Sequence, residues 1–444
     1  MTHYKRIKSI RKIGLIVLLT MVISSQVFAV SLEQSVASAI DSNPRIMRQY
    51  AKFRAAASDS DAAEGVYWPS LDVKAGYGYE DIQYKTGNEL DYFTKEKTVR
   101  AITVSQLLFN GMGNVAEAAR LDHEAEAERL LLIGDAENLA LEVTEQYIAL
   151  SQAKQFVLLA ERNLQQHQQI YDEIQKRVNK GVSSQSDMAQ VTSRLSSSQS
   201  ALLVTRRNFI DLKTRFTLLV SLQPRQLITP KIDEKLIPSN LEEVIQLSQK
   251  NNPEIRSALQ DIQAMQQENR ASKSGYWPTL TIDAELYDND NIGGVDGEDS
   301  GSNIMLNMRY NLFNGMTTTN KAKASGWRYE EAYAIKDQAG LKVIEQARLA
   351  WTAMQLLRQQ ELILQTNVDA AILTDSGYSK QFEIGRRTLL DVLDAKIEVY
   401  RARQNYLNTR YDRFISEFRL LNAMGLLLYS LRVDVPEQWK AQPQ

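Results

Sequence analysis

Cysteine is absent from this 444-residue chain. Disulfide staples and thiolate metal sites are therefore excluded, and stability has to come from packing or assembly. Histidine is nearly as scarce. Of three, only His123 and His167 lie beyond the first 29 residues, too few for a His/Cys metal centre, and no metal or cofactor is expected. Beyond residue 29 there is also no run of about 18 apolar residues, so no membrane-spanning helix is expected. Proline is missing from Pro69 to Pro224 and again from Pro278 to Pro436, leaving two long stretches without a helix breaker.

An excess of positive charge is missing too. Lys5, Arg6, Lys8, Arg11 and Lys12 precede the short apolar stretch Ile13–Ile23, and Val27-Phe28-Ala29 offers a cleavage site, so residues 1–29 read as a secretory signal peptide. Its removal takes five of 52 basic residues and none of 54 acidic ones, leaving 47 against 54 and a net charge near −7. No strongly basic face remains for nucleic acid. An exported, acidic chain without helical spans is either a soluble periplasmic protein or an outer-membrane protein built on β-strands.

What is present is a duplication. "YWPSLDV" at Tyr67 returns as "YWPTLTI" at Tyr276, and "SNPRI" at Ser42 as "NNPEI" at Asn251, both 209 residues on. "LLFNGM" at Leu107 returns as "NLFNGM" at Asn311, and Gly181–Asp187 maps onto Gly385–Asp391, both 204 residues on. Two long copies exclude a solenoid of short repeats. The expected organisation is repeat 1 over 30–229, repeat 2 over 230–429 and a C-terminal tail over 430–444.

The proline-free stretches carry helical periodicity. Leu139, Val143, Gln146, Leu150, Ala153, Val157, Ala160, Leu164, His167, Tyr171, Ile174 and Val178 recur at three- and four-residue steps, a heptad seam with two polar interruptions. His167 lies in that seam and reads as a core residue. Over 114–180 such a helix is roughly 100 Å long at about 1.5 Å per residue. "KGVSSQSD" breaks it, and the seam resumes from Met188 to Leu219. The second copy breaks at "EIGRRTLLD" and resumes from Leu390 to Leu421. Each copy is thus expected to hold a helical hairpin, over 114–222 and 318–425, with glycine-marked tips at 181–184 and 385–389.

Period-two alternation marks the strands. Leu71, Val73, Ala75, Tyr77 and Tyr79 alternate with Asp72, Lys74, Gly76 and Gly78, and Leu280, Ile282, Ala284 and Leu286 alternate with Thr281, Asp283 and Glu285. Ile304, Leu306, Met308, Tyr310 and Leu312 continue the pattern. Two β-hairpins are expected, at about 70–109 and 279–313, with strands of roughly ten residues that suit a soluble sandwich or a membrane barrel. Four strands cannot close a barrel, whose smallest forms have about eight, and an open sheet in lipid leaves backbone groups unsatisfied. A membrane placement therefore forces an oligomer.

Long helical hairpins, two β-hairpins, an internal repeat and a leader together resemble the TolC family of outer-membrane channel tunnels. Ile384–Gly425 carries the most specific likeness, and "NP", "YWP" and "LFNG" support it in both copies. That stretch is most similar to outer-membrane subunits of type I secretion systems, including those exporting large adhesins. The family's lipid-anchored efflux branch begins with a cysteine, which this chain lacks. The resemblance implies an α+β membrane protein of the Gram-negative outer membrane. It implies a homotrimer whose chains share a twelve-stranded β-barrel in outer-membrane lipid and an α-barrel tunnel across the periplasm. It also implies three outside partners: a periplasmic adaptor, an inner-membrane ABC transporter and an exported protein cargo. Small-molecule efflux and a periplasmic coiled-coil scaffold are the alternatives, and an enzyme is not expected.

Site residues follow from the same resemblance. Asp391, Asp394, Glu398, Arg401, Asn405, Asn408 and Asp412 form a polar stripe beside the last seam. A polar stripe is ordinarily a solvated outer face, but the resemblance places Asp391 and Asp394 as carboxylate rings at the constricted periplasmic end of the lumen. Arg387 and Asp187 match positions that hold the family's tunnel closed. Phe382 stands where the family often has a gating tyrosine. Gly181, Val182, Ser183 and Ser184, with Gly385, Arg386, Thr388 and Leu389, are the expected adaptor-docking tips. "DNDNIGGVDGED" at Asp288–Asp299 misses the EF-hand pattern at Ile292 and Asp299 and reads as an acidic loop at the outer mouth.

Overall fold

The computed structural model describes residues 31–440, apart from 87–88, 225–226, 229 and 231. The signal peptide expected at 1–29 lies outside the described residues. Each copy runs helix, helix, β-hairpin, long helix, returning helix, and the repeated phrases are its joints. Asn43 separates α1 (Leu32–Ser42) from α2 (Pro44–Glu64), and Asn252 separates α5 (Leu241–Asn251) from α6 (Pro253–Ser272). Both asparagines accept a hydrogen bond from the second amide onward, at 2.9 Å, ahead of a proline at the first helical position. This is the cap that an Asn-Pro pair favours. "YWP" is the turn into the strands. "FNGM" is the turn out of them, where Gly111 and Met112, then Gly315 and Met316, all adopt positive φ.

The strands β1 (Ser70–Thr86), β2 (Glu89–Phe109), β3 (Thr279–Asp290) and β4 (Glu298–Arg309) form one antiparallel sheet in sequence order. The expectation of ten-residue strands fails for the first hairpin, whose strands have 17 and 21 residues. Its outer part is rich in Lys, Glu and Asp, so alternation there is invisible to a hydrophobic pattern. The second hairpin ends at Arg309 rather than 313, leaving Tyr310 and Leu312 outside it. Register pairing puts Leu71, Val73, Ile102, Val104, Ile282, Leu286, Ile304 and Leu306 on one face. All of these large apolar side chains are exposed. The other face carries Asp72, Thr103, Asp283, Glu285, Asn303 and Asn307, cross-linked by Asn307 to Asp283 at 2.6 Å and Asn303 to Glu285 at 3.1 Å. Tyr67, Trp68, Tyr276, Trp277 and Phe313 are exposed where sheet meets helices, as in an interfacial aromatic girdle.

The long helices are α3 (Gly113–Asn179) and α7 (Thr317–Glu383), 67 residues each. They return as α4 (Gln185–Val220) and α8 (Leu389–Ala423). Contacts order them α4–α3–α8–α7, a single layer with α4 and α7 at its edges. The expected seam is where burial falls: Leu139, Val143, Leu150, Ala160, His167 and Ile174 are all buried. The edges are not covered. Leu203, Ile210 and Leu218 on α4, and Leu341, Leu349, Leu356 and Leu373 on α7, are exposed, Leu218 at 79% and Leu373 at 75%. Covering one such leucine stabilises by about 1.5–3 kcal/mol.

The main core lies midway along the helices, where α1, α5 and the chain's end pack on α3, α4, α7 and α8. The segment expected as a tail is part of that core. Leu431 and Trp439 are buried, and α9 (Leu427–Ser430) packs on α3. Glu137 of α3 is buried there and accepts the Leu427 and Leu428 amides at 3.1 and 3.3 Å. Burial outweighs those bonds and pushes its carboxyl up to about 7. The folded chain therefore holds the Glu137 proton over a pH range where the unfolded chain has released it. The associated stability is full below the ordinary carboxyl range and is lost as pH rises through about 7. Glu137→Gln is expected to flatten that loss. Thermal unfolding across pH 5 to 8, roughly the span of the titration, checks it, and parallel curves for parent and variant would contradict it.

Candidate functional site

The point furthest from the sheet is built by the two tips, and both are made alike. Gly181 and Gly385 each take φ of 73°, ending their helices in the left-handed region that favours glycine. Val182 and Arg386 donate back to the carbonyls of Arg177 and Gln381 at 2.9 and 2.8 Å. The next helix then starts on a capping box. Ser184 Oγ accepts the Asp187 amide at 3.1 Å while Asp187 accepts the Ser184 amide at 2.9 Å. Thr388 Oγ1 accepts the Asp391 amide at 3.3 Å while Asp391 accepts the Thr388 amide at 3.1 Å.

Asp187 and Asp391 are thus the same residue in the two copies, and each already has structural work. Asp391 also accepts the Thr388 hydroxyl at 2.8 Å and has Arg387 at 3.9 Å. The Thr388 hydroxyl, then its amide and Arg387, hold the Asp391 carboxyl below its usual range. Its capping contribution is present above the ordinary carboxylate range and is lost as pH falls through the lowered value. Asp394, 59% exposed, pairs with Arg194 of α4 at 3.2 Å.

Arg387 and Asp187 are not brought together within one chain. Arg387 donates to Gln381 at 3.1 Å and stacks over Tyr378 at 4.1 Å, so its contacts stay in its own hairpin. Phe382 is an apolar cross-hairpin link. It packs with Ile174, Val191, Leu389 and Leu393, and Arg177 sits 4.8 Å over its ring. Leu389, expected on the docking surface, is buried in this cluster because the capping box turns it inward. Leu390 beside it is the exposed leucine. Val182 and Ile384 are exposed at the tips, while Gly181, Ser184, Gly385, Arg386 and Thr388 are open and Ser183 is half-buried.

The polar stripe is exposed from Asp394 through Asp412, and Asp391 alone is half-buried. Arg194, Asn367, Asp394, Glu398, Arg401 and Asn405 line a shallow groove of about 470 Å³ along it. Sequence reasoning missed Tyr378, which returns a phenol to the tip one turn before Phe382. It also missed the network in which buried Glu417 receives Arg358 at 2.9 Å and Arg413 at 2.8 Å, with Arg413 reaching Glu361 at 2.6 Å. The Thr388-x-x-Asp391 spacing is a legible capping signal for what Asp391 does. His167 is buried in its seam, and its pKa is lowered by burial, then by Arg194 and Lys396. Among the described residues no group of His, Asp or Glu could hold a metal ion.

Thr388→Ala is expected to cost about 1 kcal/mol of cap stability, read as faster amide exchange across the first turn of α8. Asp394→Ala is expected to leave that exchange unchanged. Equal effects would contradict the division between the two residues.

The family model for "Outer membrane efflux protein" matches residues 36–215 and 244–426. The outer membrane protein TolC of Vibrio cholerae is 30% identical over 173 residues, 37% of this chain and 39% of that protein. The outer membrane efflux protein BepC of Brucella suis is 22% identical over 268 residues, 60% of this chain and 59% of that protein. The matched stretches thus span less than two thirds of either relative. Among solved structures, the outer membrane protein VceC of Vibrio cholerae superposes with a TM-score of 0.77 at 16% identity, covering 89% of this chain and 96% of that one. The Campylobacter jejuni CmeC outer membrane channel gives 0.78 at 15% identity, covering 89% and 86%. These likenesses carry the fold, and the family match carries the membership. The chain belongs to the outer membrane efflux protein family, the TolC-like outer-membrane channels.

Proposed function

We propose that three copies of this chain form an outer-membrane export duct. It docks on a periplasmic adaptor and an inner-membrane ABC transporter, and carries a large protein substrate of the adhesin type by type I secretion. One observation carries the duct. The sheet has an apolar and a polar face and two open edges, β1 and β4, and it continues into a helical layer open at α4 and α7. Edges of different kinds at opposite sides of one protomer make a head-to-tail contact, and such contacts form a ring where the rotation between copies closes. Three such sheets give twelve strands, enough for a barrel.

The tips are the periplasmic end of this duct. Exposed Val182, Ile384 and Leu390 offer apolar contacts to the adaptor, framed by Gly181, Ser183, Ser184, Gly385, Arg386 and Thr388. Asp394, backed by Asp391, supplies carboxylate rings to the lumen. Arg387 reaches toward a neighbouring copy's Asp187, a weak exposed link of about 0–1 kcal/mol that suits a gate pulled open by a partner. The likeness of Ile384–Gly425 to type I secretion subunits favours a protein cargo. The efflux description of the family, and of BepC, favours small molecules as the second reading.

Deleting the gene and scoring secreted protein against drug susceptibility separates the two. Loss of a secreted protein with unchanged susceptibility supports the first reading, and the reverse supports the second. In planar bilayers, Asp394→Ala is expected to weaken block by multivalent cations applied at the periplasmic end by about tenfold, as removal of ring charge requires. Arg387→Ala is expected to raise closed-state conductance and leave the block intact. An Asp394→Ala channel with the parent's block would place that carboxylate on the outer face.

A further inference from the structure

The loop between β3 and β4 does not project outward. Asn291, Gly293, Gly294 and Gly297 all take positive φ, which folds the segment sharply back on itself. Gly297 donates to Asn291 Oδ1 at 3.0 Å, and Asn291 Nδ2 donates to the Glu96 carbonyl at 2.8 Å. Gly293 donates to Glu80 Oε2 at 2.6 Å, Lys97 holds Glu80 Oε1 at 2.5 Å, and Lys95 pairs with Asp296. The loop is clasped to the first hairpin by the Glu80 carboxylate, the Lys95 ammonium and the Glu96 carbonyl, and Lys97 fixes Glu80 from within that hairpin.

The side of the sheet on which this happens is set by register. Glu80 is paired with Lys95 and Gly78 with Lys97, and the same parity runs inward to Lys74, Asp72, Thr103 and Ser105. That is the polar face, opposite Leu71, Val73, Ile102 and Val104. In a barrel in lipid the apolar face is outward and the polar face lines the lumen. The clasp is therefore inside the mouth. β2 also continues past the last β3 partner, Thr98 with Asp290, out to Glu89. These nine residues project roughly 30 Å at about 3.3 Å each, and the loop lies against the base of the projection. Two side chains of this face are little exposed there. Glu80 keeps 16% of its side chain exposed, and Phe93, beneath Lys95, is only 9% exposed.

We infer that Asn291–Gly297 is a lid at the outer mouth, and that Glu80 with Lys97 sets the size of solute the mouth admits. The inference rests on the duct reading above. Three lids folded inward narrow the exit from three sides, and each is loosened by weakening its contacts with β1 and β2 rather than by moving a strand. The bulk of the β-wall can then stay fixed while the aperture changes. Glu80 is the hinge of the arrangement, because the loop amide and Lys97 share its carboxylate.

The absence of cysteine makes the test clean. Asn303→Cys puts a thiol on the polar face of β4, and Ile304→Cys puts the control on the apolar face. Intact cells are treated with a small membrane-impermeant maleimide and with a polyethylene glycol maleimide of several kilodaltons. With the lid closed, Asn303→Cys reacts with the small reagent and slowly with the large one. Adding Glu80→Gln is expected to speed the large reagent about tenfold, the shift from losing one charge-assisted contact, and to leave the small one unchanged. Lys97→Met, which keeps the aliphatic stem, is expected to act in the same direction should Glu80→Gln assemble poorly. Asp288→Asn, which breaks the Arg100 pair on the outward face, is expected to change neither rate. Large-reagent labelling that stays at the parent rate in both clasp variants, while the Asn303 and Ile304 positions still differ, overturns the lid and leaves the duct standing. Equal small-reagent labelling at Asn303 and Ile304 overturns the duct, and the lid with it.

Discussion

A strand edge in lipid has nowhere to put its N–H and C=O groups, and most of this molecule answers to that constraint. Each unsatisfied backbone group costs several kcal/mol in hydrocarbon. The chain supplies four strands in one open sheet whose outward face is apolar. It cannot satisfy β1 and β4 alone, and twelve strands from three copies can. The helical layer repeats the problem in milder form, because exposed leucines on α4 and α7 lose only hydrophobic contact, not hydrogen bonds. Sheet and layer thus each end in two open edges.

Strong and weak interactions are distributed according to what must hold and what must move. The tips are shaped by glycines in the left-handed region and by paired capping boxes, local features that keep the helical breaks in place whatever the hairpins do. Between the hairpins the links are an apolar cluster around Phe382 and exposed ion pairs such as Arg194–Asp394, worth about 0–1 kcal/mol. Midway along the helices the balance reverses. Glu417 is buried among two arginines, and Glu137 is buried against two amides of the chain's end. Breaking such buried contacts is costly: the Glu417 network ties α7 to α8 within the second copy, and Glu137 ties the first copy to the chain's end.

The long helices, their seams and their breaks were legible from residue spacing, because a heptad seam sustained without proline admits few other structures. So were the joints, since Asn-Pro, Tyr-Trp-Pro and Phe-Asn-Gly each carry a specific backbone requirement. The extent of β1 and β2 was not, because Lys95, Glu96 and Lys97 hide the alternation that Leu71 to Tyr79 display. The site was legible in part. The Thr388-x-x-Asp391 spacing marks the cap that Asp391 makes, whereas the burial of Leu389 depends on how that capped turn aims it, which spacing does not display. Tyr378 and Glu417 gave no signal, since their roles depend on partners from other turns or another helix.

One chain alone is an open, incomplete wall. The mass of the protein in mild detergent, measured with the bound detergent counted separately, tests it most directly. Each 444-residue chain weighs 50.4 kDa, and one species holding three chains that forms pores when reconstituted is expected. A monodisperse single chain that conducts would contradict it, because four strands would then have satisfied their edges in lipid unaided.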